Sequence, residues 1–316
     1  MKYYLGIDLG GTNIVAGVVN ENYEILVKHS EKTDAEKPFE DVVADIAATA
    51  KEAVRLSGIP MSEIESVGLG SPSCINPETN LLVNANNLGW SNVPLIDEMQ
   101  KHFEIPLFVR NDADCAALGE ALAGAAKEHK HVLMATLGTG VGGGIIINKK
   151  IFNGCDGMGA EIGHTKLVYG GVPCTCGQLG CFESYASATG LIRQIKEAIK
   201  EYPNSLLALV YGEKQEEIEA RTAFDMAARG DDTAKMVVDR YISYLAAGLS
   251  TLVTLFRPQM IIIGGGVSNA GETLLKPLRE KLFKSTFAAN EIGVPPIVRA
   301  ELGNDAGIIG AAMLSR

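Results

Sequence analysis

Residues 2–19 read KYYLGIDLGGTNIVAGVV, an apolar stretch that reaches a glycine tip at Gly10–Thr12 before a second apolar stretch begins. This pattern predicts two β-strands joined by a tight turn. Residues 131–148, HVLMATLGTGVGGGIIIN, have the same pattern around a second tip at 138–140. The same arrangement at a spacing of about one domain predicts a duplicated architecture.

Predicted helices separate these hairpins from a third apolar strand, MIIIGGGVS at 260–268, which also ends in glycines. Apolar residues recur at helical spacing in residues 39–56, 114–126, 188–202, 234–256 and 306–316. Strands that alternate with helices predict an α/β fold. The length of the chain favours two domains, at 1–120 and 121–303, with a closing helix at about 304–316 that packs back on the first.

The composition excludes several classes of protein. The chain has 316 residues and a formal net charge of −10, whereas a general nucleic-acid binder needs clustered Lys and Arg. The start, MKYYLGIDLGG, contains no apolar signal-peptide core, and the longest uncharged run, 241–256, suits a buried helix better than a membrane span. Cys74, Cys115 and Cys155 are scattered, which favours a reducing compartment. We therefore expect a cytoplasmic protein with no nucleic-acid or membrane partner.

Three of the six cysteines crowd into residues 174–181, downstream of a lone histidine. The spacing H-x9-C-x-C-x4-C comprises His164, Cys174, Cys176 and Cys181. Zn²⁺ prefers four tetrahedral ligands, and three thiolates with one imidazole complete a closed structural site. Gly177 and Gly180 can supply the tight turns that such convergence needs. We favour structural zinc, with a redox pair or coincidental thiols in a glycine-rich loop as alternatives.

The glycine tips suggest phosphate binding. Glycine lets backbone N–H donors approach a phosphate because no Cβ blocks the way. Both tips carry a threonine, and Gly264–Gly266 form a third glycine run. A tight hairpin would explain each tip alone, but three such runs together predict contacts to one nucleotide. The chain has no GxxxxGK[ST] motif and no strand–GxGxxG–helix unit, which excludes a P-loop and argues against a Rossmann site.

Two carboxylates follow predicted strands. Asp8 precedes the first glycine tip, where it can hold Mg²⁺ through water or simply cap the turn. Asn111 and Asp112 stand between the strand IPLFVR and a helix, a position typical of helix caps. The helix dipole keeps Asp112 ionised and a weak base, which phosphoryl transfer tolerates because proton loss can come late. Asn111 can donate to and accept from neighbouring hydroxyls.

Glu161, His164 and Glu183 flank the thiol cluster. Carboxylates accept charge-assisted hydrogen bonds from hydroxyl groups, of which a sugar presents many. If His164 binds zinc through one ring nitrogen, the other can meet a hydroxyl. These residues predict a sugar site beside the zinc loop, and the alternative makes both glutamates surface charges.

Six motifs occur in the order found in one family: LGIDLGGTN, RNDADCAALGE, LGTGVGGGI, GAEIGH, CTCGQLGCFE and IIIGGG. Over nearly its whole length the chain resembles the ROK family (repressors, open reading frames, kinases), and CTCGQLGCFESYASATGL is most similar to the family's bacterial glucokinases. The resemblance implies a duplicated actin-like, hexokinase-like (ribonuclease H-like) ATPase fold with two domains around a central cleft.

The resemblance also implies an activity, an ATP-dependent transfer of the γ-phosphoryl group of MgATP to O6 of glucose, as in glycolysis. Asp112 would be the catalytic base. The implied sugar-binding residues are Asn87, Asn111, Asp112, Glu161, His164 and Glu183. The implied nucleotide-binding residues are Asp8, Gly10, Gly11, Thr12, Asn13, Gly138, Thr139, Gly140, Gly264, Gly265 and Gly266. Structural zinc would lie on His164, Cys174, Cys176 and Cys181, and members are commonly homodimers or homotetramers.

One departure from the family pattern affects the identity of the sugar. Residues 68–76 read GLGSPSCIN, and Ser73 replaces the second glycine of a Gly-Pro-Gly-like turn. This loop and the stretch with Asn86 and Asn87 are expected to border the sugar. Another hexose, such as N-acetylmannosamine, is therefore an alternative substrate. A non-catalytic sugar sensor and a chaperone-like or filament-forming ATPase are the rival classes. Because the first ATPase strand begins within a few residues of Met1, we do not expect the DNA-binding region of the family's repressors.

Overall fold

The computed structural model describes residues 1–316, apart from the side chain of Asn86. The strands are β1 (Tyr3–Leu9), β2 (Asn13–Asn20), β3 (Ile25–Lys32), β4 (Ile64–Ser71), β5 (Leu82–Ala85), β6 (Trp90–Val93), β7 (Leu107–Asn111), β8 (Val132–Leu137), β9 (Val141–Ile147), β10 (Lys150–Phe152), β11 (Met260–Gly264) and β12 (Ile297–Arg299). The helices are α1 (Phe39–Ser57), α2 (Leu95–Gln100), α3 (Asp112–Leu122), α4 (Glu183–Ala186), α5 (Ala188–Glu201), α6 (Leu206–Tyr211), α7 (Arg221–Ala228), α8 (Asp232–Phe256), α9 (Glu272–Ser285), α10 (Ala289–Ile292) and α11 (Asp305–Ala312).

The first sheet has the strand order β3-β2-β1-β4-β7. Strand β1 pairs antiparallel with β2, and Leu9 opposite Ile14 leaves Gly10–Asn13 at the tip. Strands β1, β4 and β7 run parallel, with Asp8 opposite Gly70 and Ser71 opposite Asn111. The carboxyl ends of these strands therefore share one edge of the sheet, which is the edge where α/β folds collect their functional residues.

The second sheet has the order β10-β9-β8-β11-β12. Strand β9 pairs antiparallel with β10, and β11 runs parallel to β12. Position by position, this order repeats that of the first sheet, with the second glycine tip again following the central strand. The predicted α/β fold with a duplicated architecture is therefore confirmed.

The chain divides into two compact units, residues 1–133, 144–160 and 300–316 in the first and residues 134–143 and 161–299 in the second. In the first unit α11 packs against α3, β1 and β4. The domain limits predicted from the sequence, 1–120 and 121–303, stay a prediction. No helix formed by the described residues has both the length and the apolar composition of a membrane span.

The predicted helix at 114–126 forms over a shifted range. Helix α3 begins at Asp112 because the side chain of Asn111 accepts a hydrogen bond from the Ala113 amide at 2.9 Å. The helix ends at Leu122. The amide of Ala125, which follows the helix, donates a hydrogen bond at 2.9 Å to the buried carboxylate of Glu120. The other oxygen of Glu120 accepts from the Leu302 amide at 2.7 Å, just before α11.

Close contact between α3 and α11 depends on glycine. A Cβ at Gly119 would lie 2.1 Å from the carbonyl oxygen of Ala306, and one at Gly310 would lie 1.7 Å from that of Cys115. Both obstacles are backbone atoms, which cannot rotate away. The two helices approach each other at these points only because neither glycine carries a side chain.

We expect Gly119→Ala to lower the free energy of unfolding by about 1–3 kcal/mol, because the new methyl group forces the two helices apart. Alanine has the higher helix propensity by about 1 kcal/mol, so the intrinsic preference acts in the opposite direction. Urea unfolding of the variant measures the difference. Ala116→Ser, at a half-buried position of the same helix, is the control. A Gly119→Ala protein as stable as the parent would show that this contact is not tight.

Candidate active site

The strand ends of the first unit bring two predicted site carboxylates together. Asp8 lies near the end of β1, and Asp112 opens α3 directly after β7. Burial, and to a lesser degree the negative charge of Asp112, raise the pKa of the Asp8 carboxyl to about 6. A Cβ at Gly307 would lie 3.0 Å from the Asp8 carboxylate. A half-buried carboxylate with an acidic neighbour favours a proton or a cation, and Mg²⁺ prefers such oxygen donors.

Asn111 and Asp112 cap α3, as the sequence suggested. The Ala113 amide donates to Asn111 Oδ1 at 2.9 Å and to Asp112 Oδ1 at 2.7 Å. These bonds fix both side chains relative to the helix N-terminus. The capping interpretation therefore holds, and it orients a carboxylate at the edge of the sheet whether or not that carboxylate is also a base.

Two hydrogen bonds from Thr33 stabilise the first glycine turn, Gly10–Thr12. The hydroxyl of Thr33 donates to the Gly10 carbonyl at 2.7 Å, and the Thr33 amide donates to the Thr12 carbonyl at 2.9 Å. Asn87 lies against this turn, since a Cβ at Gly11 would be 3.0 Å from Asn87 Nδ2. The structure thus brings a residue of the predicted sugar site next to the predicted phosphate turn. Asn13, at the start of β2, is exposed.

A cavity of about 440 Å³ adjoins Asn111 in the first unit. The lining includes Asp114 from α3, Cys74 from the loop after β4, and residues 153–157. Ser73 precedes Cys74, and its buried hydroxyl accepts a hydrogen bond from the Asn84 amide at 3.1 Å. The serine that departs from the family pattern therefore ties the loop after β4 to strand β5. The side chain of Asn86 lies outside the described residues.

The second glycine loop, Gly138–Val141, connects β8 to β9 in the second unit. The Gly138 amide donates to the Gly140 carbonyl at 3.0 Å, which closes the turn. The third glycine run packs behind it, because a Cβ at Gly265 would lie 2.5 Å from the Leu137 carbonyl oxygen. Gly265 has φ of 76°, a conformation that glycine adopts without strain. The structure therefore brings two of the predicted nucleotide-binding runs together.

A cavity that was not predicted from the sequence lies beside the third glycine run. It has a volume of about 370 Å³ and lies between α7 and the 3₁₀ helix Gly266–Ala270. Residues of α7 that line it are Arg221, Phe224, Asp225 and Ala228. Their i, i+3, i+4, i+7 spacing identifies one face of a helix, and this spacing was the available signal.

The predicted metal ligands converge. One ligand atom from each of His164, Cys174, Cys176 and Cys181 lies within 4.8 Å of the others. The distance from Cys174 Sγ to His164 Nδ1 is 3.7 Å, as is that from Cys176 Sγ to Cys181 Sγ. A tetrahedral site with Zn–S bonds of about 2.3 Å has sulfur–sulfur edges of roughly 3.8 Å. The donor set and the spacing therefore fit a metal ion of this size.

The loop that carries the ligands contains the expected turns. Gly177 and Gly180 have φ of 83° and 74°. A Cβ at Gly180 would lie 1.6 Å from the Val168 carbonyl oxygen, so the two arms of the loop touch there. The Gln178 backbone amide lowers the pKa of the Cys176 thiol, whereas burial raises that of Cys181 to about 11. A metal ion would replace the proton on each thiol that it binds.

The remaining predicted sugar residues surround this loop. Glu161 is exposed and precedes the 3₁₀ helix Ile162–His164, whose last residue donates its amide to the Glu161 carbonyl at 3.0 Å. Glu183 is half-buried, and its Oε2 accepts a hydrogen bond from the Val141 amide at 3.0 Å. These two glutamates and His164 belong to the second unit, whereas Asn87, Asn111 and Asp112 belong to the first. Their contacts with a sugar stay a prediction.

Comparison with known proteins gives consistent matches over the whole chain. The family model described as the ROK family matches residues 4–316. The glucokinase of Thermotoga maritima is 40% identical over 311 residues, which cover 98% of this chain and 96% of that protein.

Two solved structures are similar to the fold. A ROK family glucokinase from Streptomyces griseus in complex with glucose and AMPPNP is 35% identical with a TM-score of 0.79, covering 99% of this chain and 98% of that one. The ROK hexokinase of Thermus thermophilus is 31% identical with a TM-score of 0.82, covering 99% and 97%. These matches agree with the order of the six motifs, the duplicated sheets and the converging thiols. The chain belongs to the ROK family.

Proposed function

We propose that this chain is an ATP-dependent glucokinase, a hexokinase-type phosphotransferase that transfers the γ-phosphoryl group of MgATP to O6 of glucose. One observation carries the proposal: the 40% identity to the Thermotoga maritima glucokinase across 98% of the chain. The Streptomyces griseus relative was solved with glucose and AMPPNP, an analogue of ATP. The same two substrate classes suit the polar residues and glycine loops of this chain.

Asp112 orients the acceptor hydroxyl of the sugar, and this hydroxyl lies beside Asn111. Asp112 accepts the hydroxyl proton late, because the transition state of phosphoryl transfer is loose and the oxygen becomes acidic only as the new bond forms. Capping of α3 holds this carboxylate in a fixed position without a conformational search. The remaining sugar contacts are Asn87, Glu161, His164 and Glu183.

The donor is bound by backbone amides of the two glycine loops, together with Thr12, Asn13 and Thr139. Asp8 would hold the Mg²⁺ that accompanies ATP, and this cation would neutralise charge on the phosphates. Burial of the charged Asp8 carboxylate is unfavourable, and a nearby cation would offset this cost, which supports the assignment. The base and ribose lie near Gly264–Gly266, where the cavity beside α7 has a volume of about 370 Å³.

His164, Cys174, Cys176 and Cys181 would hold zinc as a structural ion. Four protein ligands would complete a tetrahedral shell and leave no position for an activated water, so the ion would serve to shape the loop. The 3.7 Å ligand separations support this assignment. Through the loop, a bound ion would keep His164 and Glu183 near the sugar.

We expect the purified protein to contain about one zinc per chain. Cys176→Ser should lower the zinc content to below about a tenth, because one thiolate ligand is lost and a closed site tolerates no vacancy. Exposed Cys155→Ser is the control and should retain the metal. Elemental analysis by mass spectrometry measures both. A folded parent protein without zinc would exclude the structural-zinc assignment.

The test of the function is ADP release with MgATP against glucose, mannose, fructose, allose, N-acetylglucosamine and N-acetylmannosamine. Glucose should have the highest kcat/KM. Preference for another hexose would keep the chemistry and place the altered specificity near Ser73 and residues 70–90. No turnover with any sugar, but measurable sugar binding, would favour the non-catalytic sensor.

Cellular context follows from the same proposal. We expect a cytoplasmic enzyme, since ATP and free hexoses meet there, acting as a homodimer or a homotetramer without nucleic-acid or membrane partners. Sedimentation velocity of the purified protein measures the assembly. A monomer at micromolar concentration would contradict the oligomeric part of the proposal.

A further inference from the structure

A short segment of the chain connects the metal cluster to the second glycine loop, Gly138–Val141. Residues 181–189, called the 181–189 segment below, begin at the ligand Cys181 and end in the first turn of α5. Three groups of this segment contact Gly138–Val141: the carboxylate of Glu183, the amide of Ala188 and the hydroxyl of Thr189. All of these residues belong to the second unit.

Glu183 contacts both the metal-binding loop and the glycine loop. Its Oε2 accepts a hydrogen bond from the Val141 amide at 3.0 Å. Its Oε1 accepts from the hydroxyl of Thr175, the residue between the ligands Cys174 and Cys176, at 3.3 Å. A Cβ at Gly140 would lie 2.3 Å from Oε2, so the carboxylate is packed directly on the loop.

The start of α5 fixes two peptide groups of the same loop. The Ala188 amide donates to the Gly138 carbonyl at 2.8 Å, and the Thr189 hydroxyl donates to the Thr139 carbonyl at 2.8 Å. The cap of α5 is itself rigid, because the Ser187 hydroxyl accepts from the Gly190 amide at 2.9 Å.

The orientation of the loop amides follows from peptide geometry. In a planar trans peptide the C=O and N–H bonds point in opposite directions. The carbonyl of residue 138 faces α5, so the amide of Thr139 faces away from α5. By the same reasoning, the bond from Thr189 turns the amide of Gly140 away from α5. Both N–H groups thus point away from α5, and the proposed function assigns them to the phosphates of the donor.

We propose that Thr189 and Glu183 are positioning residues for the phosphoryl donor, and that the occupied metal cluster supports donor binding through the 181–189 segment. The inference rests on the proposed function, in which the second glycine loop binds the phosphates of ATP. It adds a second consequence to metal binding: the ion supports the donor side of the reaction as well as the sugar side.

Thr189→Val tests the first part, because it removes one hydroxyl and leaves both the cluster and the sugar residues unchanged. The KM for MgATP should rise about three- to tenfold, the KM for glucose should stay within about twofold, and zinc content should not change. Thr254→Val is the matched control, since the Thr254 hydroxyl also donates to a backbone carbonyl of the second unit, that of Ser250 at 2.8 Å. Equal rises in both KM values, or no rise for MgATP, would overturn the role of Thr189.

Hydrogen–deuterium exchange tests the second part without relying on turnover. Removing the metal with a chelator should speed exchange at residues 137–142 and at the 181–189 segment, while residues 7–14 of the first unit exchange as before. Thr189→Val should speed exchange at 137–142 with the metal still bound. Unchanged exchange at 137–142 after metal removal would overturn the coupling.

The two proposals fail in different ways. If the protein phosphorylates no sugar, the glucokinase proposal fails, but calorimetric titration with MgAMPPNP still compares the parent with Thr189→Val. Weaker binding by the variant, together with faster exchange at 137–142, would support the positioning role alone. Equal binding with equal exchange would reject it, whatever the activity.

Discussion

Asp112→Asn should lower kcat for glucose phosphorylation by about 10²–10⁴-fold while the Kd for glucose changes by less than about threefold. The amide keeps the size of the side chain and an oxygen that can accept from the Ala113 amide, so the cap on α3 remains. What is lost is the negative charge that orients the hydroxyl and accepts its proton. Steady-state kinetics and calorimetric glucose titration separate the two effects.

Asp305→Asn is the matched control for this substitution. Asp305 is also the first residue of a helix, α11, in the same unit, and its carboxylate pairs with the exposed Lys28 at 2.5 Å. Loss of an exposed ion pair costs at most about 1 kcal/mol, so the control should keep its turnover. An Asp112→Asn enzyme with more than about a tenth of the parent kcat would reject Asp112 as the base.

Asp8→Asn should lower turnover and yet stabilise the metal-free protein at neutral pH. The folded state raises the pKa of Asp8 from 3.8 to about 6, chiefly through burial. For a carboxyl with a raised pKa, the folded state binds the proton more tightly than the unfolded state. The contribution of Asp8 to stability is therefore fully favourable below pH 3.8 and is lost as the pH rises through about 6.

The asparagine variant has no such loss, so at pH 7.5 its free energy of unfolding should exceed that of the parent by up to roughly 2–3 kcal/mol. Near pH 4 the gain should shrink towards zero, because the parent carboxyl is then mostly protonated. Urea unfolding in metal-free buffer at both pH values measures this. Glu31→Gln, an exposed carboxylate on β3, is the control. An Asp8→Asn protein that is less stable than the parent at pH 7.5 would contradict the claim that burial of the ionised Asp8 carboxyl destabilises the folded state.

Features that depend on local sequence were predictable. Each glycine tip lies between two apolar strands whose own residues specify them. Both hairpins could therefore be predicted from the sequence. The metal cluster was equally local, since three of its four ligands lie within residues 174–181. The helix cap at Asn111 also follows from neighbouring residues, because the amide it accepts from is only two positions away.

Long-range contacts were not predictable. The bond from the Val141 amide to Glu183 joins residues 42 positions apart, and no periodicity in either segment encodes it. The contact of Asn87 with Gly11 depends on where the β5–β6 hairpin packs, which the order of the strands does not specify. The wall that α7 contributes to the cavity near Gly266 was not predictable either, because the spacing of its lining residues places them on one helix face but does not identify what that face borders.

The most direct test of the central claim is identification of the product. The protein is incubated with MgATP and ¹³C-labelled glucose, and the phosphorylated sugar is examined by ³¹P and ¹³C NMR. The proposed function predicts phosphate on O6 alone, formed in equal amount to ADP, and formed at least about a hundredfold more slowly when Asp112 is replaced by asparagine. Phosphate on another oxygen, or ADP without any sugar phosphate, would contradict it.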